Sequence, residues 1–165
     1  HTIVYLGKYC KGTGHIVRFI EYRDVGNKNG WELDEVVPAN DILTLINQER
    51  PLEPIDPNYR GEVARRYRYK DGQGEIGIIA SVSQPFCGDC SRARLSTDGS
   101  LYTCLFASRG LNLRDTIRSG GTDTELESMI KNIWQSRTDK YSEERSASMI
   151  TSPSEPKIEM YQIGG

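Results

Sequence analysis

Apolar and polar positions follow different rules in the two halves of the chain. The run from Ile3 to Cys10 reads as the end of a helix, released by Gly12 and Gly14. His15 to Tyr22, HIVRFIEY, carries apolar residues on both faces and predicts a buried strand. Helix, glycines and two-sided strand together make one αβ step of a parallel sheet. After a glycine- and asparagine-rich loop around Gly26–Gly30, Asn40 is placed to cap a helix with Ile42, Leu45 and Ile46 inward. Pro51, Pro54 and Pro57 then mark a boundary or linker.

Beyond the prolines the period shortens. Residues 62–69 alternate Val63, Arg65, Tyr67 and Tyr69 against Ala64, Arg66 and Arg68; Asp71-Gly72 is a turn signal, and Glu75–Val82 is another apolar strand. These predict an antiparallel pair. Asp98-Gly99, inside Leu95 to Leu105, signals a second hairpin. Thr122 to Glu125 forms a capping box, followed by Leu126, Met129, Ile130, Ile133 and Trp134 at helical spacing. Residues 142–156 are rich in Ser, Glu and Pro and are expected to be mobile. No internal repeat is present.

Composition narrows the class without naming a function. The chain has 165 residues, 36% hydrophobic and 27% charged, which fits a globular protein with a modest core. No apolar run approaches the roughly 18–20 residues of a membrane span, and no signal-peptide pattern opens the chain. His1 falls in what reads as mid-helix, so the chain is expected to be a piece of something longer. Net charge is −2, which gives no global basic field for nucleic acid. Residues 60–118, however, hold ten Lys or Arg against six Asp or Glu. A local basic surface suits an anionic small molecule, and ordinary charge scatter produces the same tally.

The candidate chemistry lies in PFCGDCSRARLSTDGSLYTCLF. Cys87 and Cys90 form a CxxC pair, and Cys104 follows after thirteen residues. Two thiols three positions apart reach one metal centre from a tight turn, which Gly88 permits. The Asp98-Gly99 hairpin is expected to return Cys104 to the same place. Without secretory signals, such a cluster argues for metal ligation over disulfides, and for a reducing, cytoplasmic compartment. Three cysteines fall short of a closed four-ligand zinc site or a four-cysteine electron-transfer cluster. Spacing alone does not separate a three-cysteine iron–sulfur cluster from zinc completed by another ligand. Buried structural cysteines are the plain alternative.

These residues resemble the GTP 3′,8-cyclase family, radical S-adenosylmethionine enzymes of molybdenum cofactor biosynthesis. The resemblance rests on FCGDCSRARLSTDGSLYTCLF, HIVRFIEYRDVGN, LNLRDTIRSG and the terminal MYQIGG, and covers nearly all of the chain. It implies a [4Fe–4S] cluster on Cys87, Cys90 and Cys104, whose open iron takes the guanine of GTP. It also implies GTP contacts from Arg92, Ala93 and Arg94. Two positions apart on a strand, both guanidinia face one way, and their donor forks suit phosphate and guanine acceptors. A solvated strand face is the bland alternative. Arg18, mid-strand among apolar neighbours, matches an arginine reaching the triphosphate; otherwise it pairs with Glu21 or Asp24. The Gly164-Gly165 tail resembles a terminus that enters the catalytic cavity, against the ordinary reading of a frayed end.

Two departures matter. The family's N-terminal CxxxCxxC, which holds a second [4Fe–4S] cluster and cleaves S-adenosylmethionine, is absent from this sequence. The chain alone is therefore expected to be inactive, as a C-terminal part of such an enzyme. Arg23 stands where relatives have a methionine on the adenosylmethionine side, which puts that contact in doubt. In the intact enzyme the product passes to cyclic pyranopterin monophosphate synthase. A zinc-binding interaction module and an electron-transfer protein are the functions of other classes that remain. The expected fold is mixed, α/β and α+β. Residues 1–58 are the closing βα portion of an incomplete TIM-like radical S-adenosylmethionine barrel, and 59–165 an antiparallel, cluster-binding extension with helices. Cut from its barrel, the first part exposes a sheet edge and an apolar face, so association, a homodimer included, or a disordered N-terminus is expected.

Overall fold

The computed structural model of the chain describes residues 2–150 and 156–163, without the side chains of 146–150. The residues divide into two compact units, His1–Arg23 with Trp31–Cys90, and Asp24–Gly30 with Ser91–Gly165. Both α and β elements are present, with one sheet of four strands and one of three.

In the first unit, α1 (Thr2–Cys10) precedes β1 (Val17–Ile20), and α2 (Ala39–Glu49) precedes β2 (Leu52–Ile55), β3 (Arg65–Tyr69) and β4 (Glu75–Ile79). The sheet order is β1-β4-β3-β2. β1 runs parallel to β4, with Arg18 opposite Gly77, while β2–β3 and β3–β4 are antiparallel. The expected Asp71-Gly72 turn joins β3 to β4, with Gly72 N–H donating to Tyr69 O at 2.9 Å. Ile76 and Ile78 of β4 and Tyr69 of β3 pack with Ala39, Ile42 and Ile46 of α2. Each such apolar side chain contributes about 1.5–3 kcal/mol when fully buried. Tyr69 also donates its hydroxyl to Gly7 O at 3.1 Å, which pins α1 to the sheet.

The structure corrects four local expectations. β1 is not buried on both faces: Val17 and Phe19 are covered, but Ile16 and Ile20 are 45% and 51% exposed. The reason is position, since β1 is the outer strand and the helices pack on one side only. The proline-marked stretch at 51–57 is not a linker but contains β2, where Pro54 sits opposite Tyr67. An outermost strand tolerates a residue without an N–H. Asn40 does not cap α2; Pro38 occupies that position, Leu45 turns outward, and Leu43 packs against the core instead. Finally, much of the stretch expected to be mobile forms the helix α5 (Tyr141–Ile150); residues 151–155 lie outside those described.

The second unit is built on β5 (Arg94–Leu95), β6 (Ser100–Tyr102) and β7 (Leu111–Asn112), then α3 (Arg114–Arg118), α4 (Asp123–Gln135) and α5. The Asp98-Gly99 hairpin forms as expected, and β7, which the pattern did not reveal, adds to β6. The Thr122–Glu125 capping box opens α4. Tyr102, Leu105, Phe106 and Ile163 form this unit's core, with Val25, Cys104, Tyr141, Ile158 and Met160 packed around it. No helix among the described residues is long and apolar enough to cross a membrane.

Candidate functional site

Cys87 and Cys90 lie on a single 3-10 turn, Cys87–Asp89, closed by the Cys90 N–H donating to Cys87 O at 3.1 Å. Both are half-buried and outside any disulfide. The turn therefore brings these two together as the spacing predicts. Asp89, at its exposed tip, faces the Arg60 guanidinium at 3.5 Å, a solvent-screened pair of little energetic weight.

The segment before this turn is firmly held. Glu21, directly after β1, is 2% exposed. One carboxylate oxygen accepts the Ala39 N–H at 2.8 Å and the Ser83 hydroxyl. The other accepts the N–H groups of Val82 at 2.8 Å and Ser83 at 2.9 Å. Burial alone raises this carboxyl, but the Ser83 hydroxyl and the three N–H groups outweigh it and hold the group below its ordinary 4.5. The Gln84 amide adds a bond to Asn40 Oδ1 at 2.9 Å and accepts from Arg65. Only Pro85 and Phe86 separate this knot from Cys87.

Arg18 lies on the sheet face opposite α1 and α2, exposed, with its stem across Gly77. A Cβ at Gly77 would meet Arg18 Cγ at 3.2 Å and the Ala64 Cβ at 3.3 Å, so glycine keeps that trough open. The Glu21 pair considered for Arg18 does not form, because both oxygens of Glu21 are committed elsewhere. Arg23 is half-buried.

In the second unit, Arg92 and Arg94 are half-buried while Ala93 and Leu95 are exposed, the two-residue period of a strand. Only Arg94 lies on β5, however; Arg92 precedes the strand, so the expected strand placement holds for one of the two. Arg94 pairs in register with Tyr102, two residues before Cys104. Cys104, half-buried and outside any disulfide, packs against the Tyr102, Leu105, Phe106 and Ile163 core. Ile163 immediately precedes Gly164 and Gly165, which lie outside the described residues, as does the expectation for the tail.

Asp24 organises this surround. Its carboxylate accepts from Arg145 Nε and Lys157 Nζ, each at 3.0 Å, and from the Tyr141 hydroxyl. Desolvation raises Asp24, but the Tyr141 bond and the two cations prevail and keep it below 3.8. The buried Tyr141 hydroxyl is pushed strongly upward, by desolvation first and then by Asp24. Tyr141 stacks on Phe106 at 4.5 Å between centroids. Asn27 fastens the same stretch, taking the Lys157 N–H at 3.0 Å and donating to Glu159 Oε1. Gly26, at φ 67°, leaves room there for the Glu159 carboxylate, which a Cβ would meet at 2.2 Å.

The three expected ligands divide between units: Cys87 and Cys90 belong to the first, Cys104 to the second. Among the described residues no three His, Cys, Asp or Glu side chains form a group that could hold a metal ion. The donor chemistry itself fits a thiophilic centre, since none of the four cysteines is in a disulfide. Glu21 and Asp24 are the residues sequence reasoning missed. Both entered only as partners for Arg18, although two acidic residues directly after a strand's end were the available signal.

The fold and these side chains define a mixed α/β protein with a cysteine-bearing turn, an arginine-bearing hairpin and a third cysteine beyond it. Residues 15–143 match the family model described as Molybdenum Cofactor Synthesis C, and the chain belongs to that family. It is 46% identical over 182 residues to a GTP 3′,8-cyclase of Acidothermus cellulolyticus, covering 97% of this chain and 50% of that protein. It is 48% identical over 164 residues to GTP 3′,8-cyclases of Staphylococcus aureus, covering 99% of this chain and 48% of theirs. The chain thus spans about half the length of the curated relatives it matches.

Proposed function

We propose that this chain supplies the substrate-side part of a GTP 3′,8-cyclase in molybdenum cofactor biosynthesis. The intact enzyme converts GTP to (8S)-3′,8-cyclo-7,8-dihydroguanosine 5′-triphosphate, a product then taken up by cyclic pyranopterin monophosphate synthase. The observation that carries the reading is the two half-buried arginines at the entry to a hairpin, Arg92 just before β5 and Arg94 on it, whose return strand leads to Cys104. Paired guanidinia on a rigid element suit a triphosphate and the acceptor edge of guanine. Arg18, over the open Gly77 trough, is a further triphosphate contact, and Ala93 offers backbone beside the arginines.

Cys87, Cys90 and Cys104 would hold a [4Fe–4S] cluster, which supplies an iron with an open coordination position toward the base. S-adenosylmethionine and the radical-generating cluster belong to the remaining half of the enzyme, so this chain alone is inactive. The exposed Ile16 and Ile20 face and the open β1 side support a place in an incomplete barrel, where further parallel strands would cover them.

Anaerobic reconstitution tests the reading. Expected are about four irons and four sulfides per chain with absorbance near about 400 nm, and a spectral shift on adding GTP. Arg92→Ala and Arg94→Ala should each weaken that GTP response by about tenfold or more, given roughly 1.5–3 kcal/mol per charge-assisted bond. Tight zinc with no sulfide would instead make the chain a zinc-stapled interaction module, and a redox-active cluster indifferent to GTP would make it an electron carrier.

A further inference from the structure

We infer that Glu21 is the positioning residue of the CxxC turn, holding Cys87 and Cys90 in place from the opposite end of a short loop. The inference rests on the proposed role of these cysteines and goes beyond it, because Glu21 touches neither of them.

The geometry is that of a clasp. Glu21 stands at the end of β1, and its N–H donates to Ile79 O at 3.1 Å, so its backbone extends the β1–β4 pairing. Its carboxylate then reaches two other places. Toward α2 it accepts the Ala39 N–H, one of the donors a helix start leaves unsatisfied. Pro38 at the cap has no side-chain oxygen to offer, and the helix has no side-chain cap of its own. Toward the loop after β4 it accepts both successive N–H groups of Val82 and Ser83, and the Ser83 hydroxyl. One buried carboxylate thus fixes a strand end, a helix start and the loop that runs into the cysteine turn.

Chain stiffness carries this fixation onward. Gln84 N–H donates to Ala80 O at 3.1 Å, closing the turn on itself. Its side chain is tied to Asn40 and Arg65. Pro85 has a fixed φ and restricts the residue before it. The path from the clasp to Cys87 therefore contains little soft backbone. The Cys90 N–H to Cys87 O bond keeps the two cysteines within one turn, and the clasp fixes the segment that carries that turn.

Removing the carboxylate should loosen the loop locally and expose the two thiols selectively. The test is the iodoacetamide alkylation rate of each of the four cysteines in the folded 165-residue chain, read by peptide mass spectrometry. In Glu21→Ala, Cys87 and Cys90 should react about tenfold faster, the order expected from orphaning buried donors, with Cys10 and Cys104 essentially unchanged. Glu21→Gln should fall between, because its single oxygen still serves Val82 and Ser83 while the amide nitrogen faces the Ser83 hydroxyl. Unchanged rates at Cys87 and Cys90 in a folded variant would overturn the inference, as would all four cysteines accelerating together. Should Glu21→Ala not fold, the Gln variant decides alone. Iron and sulfide binding by the wild-type chain is scored separately. Its absence would remove the proposed cluster, while the alkylation pattern would still judge the clasp.

Discussion

Glu21 and Asp24 stand three positions apart and belong to different compact units, and each is a carboxylate withdrawn from water. They are satisfied by opposite means. Glu21 takes neutral donors, three backbone N–H groups and a hydroxyl, and so serves as a local template for backbone. Asp24 takes two cations and a phenol from residues far along the chain. A charge bound by neutral dipoles leaves no charge behind when it is removed. A charge bound by cations leaves them stranded. The first anchor should therefore fail gently and locally, the second severely and across its whole unit.

The largest expected effect follows from that asymmetry. Asp24→Asn strands Arg145, 4% exposed, and Lys157 beside the Phe106 and Tyr141 rings. Removing one partner of a buried ion pair costs about 3–5 kcal/mol, whereas the single donor that Glu21→Gln orphans, the Ala39 N–H, costs about 1–3 kcal/mol. Urea unfolding should thus rank Asp24→Asn well below Glu21→Gln in stability. Equal losses would break the comparison, showing that the cations find solvent or other partners when Asp24 is gone.

Acid titration sharpens it. Both carboxyls are held below their ordinary values, 4.5 for Glu21 and 3.8 for Asp24. In the window below those values the unfolded chain binds more protons than the folded one, so stability rises with pH there. The contribution of each is complete above its ordinary value and is lost as pH falls through the lower folded one. Urea midpoints measured from about pH 7 to about pH 3 should fall progressively. Glu21→Gln should flatten the part of the fall nearest 4.5, and Asp24→Asn the part below 3.8. Parallel curves for wild type and both variants would assign the acid loss to other groups.

How much of this was legible beforehand depends on what each residue needed. The β3–β4 and β5–β6 hairpins and the α4 capping box were readable, because turn residues and caps act through neighbours in sequence. The tight turn that carries Cys87 and Cys90 was readable for the same reason. β2 was not, since Pro54 argues against a strand until the sheet's outer position is known. Nor was the one-sided exposure of β1, where Ile16 and Ile20 satisfy an apolar pattern whichever way they face. Glu21 and Asp24 were opaque in their roles: their partners at Ala39, Val82, Ser83, Tyr141, Arg145 and Lys157 are long-range, and four of those contacts use backbone or hydroxyl groups that leave no charge pattern.

The smallest expected effect tests whether the second anchor is as unit-wide as its cations suggest. Thr122 Oγ1 accepts the Glu125 N–H at 3.3 Å, and Glu125 Oε2 accepts the Thr122 N–H at 2.7 Å, opening a helix in which no residue is fully buried. Thr122→Ala should cost about 1 kcal/mol. Among the described residues, neither shares a hydrogen-bond or ion-pair partner with Asp24, so two local features would give additive losses within about 0.5 kcal/mol. If the Asp24 network instead organises the whole second unit, α4 is already loosened in Asp24→Asn, and the further loss from Thr122→Ala should shrink toward zero. Hydrogen exchange at the α4 amides in the single and double variants distinguishes the two, because only the unit-wide anchor raises exchange there when Asp24 alone is changed.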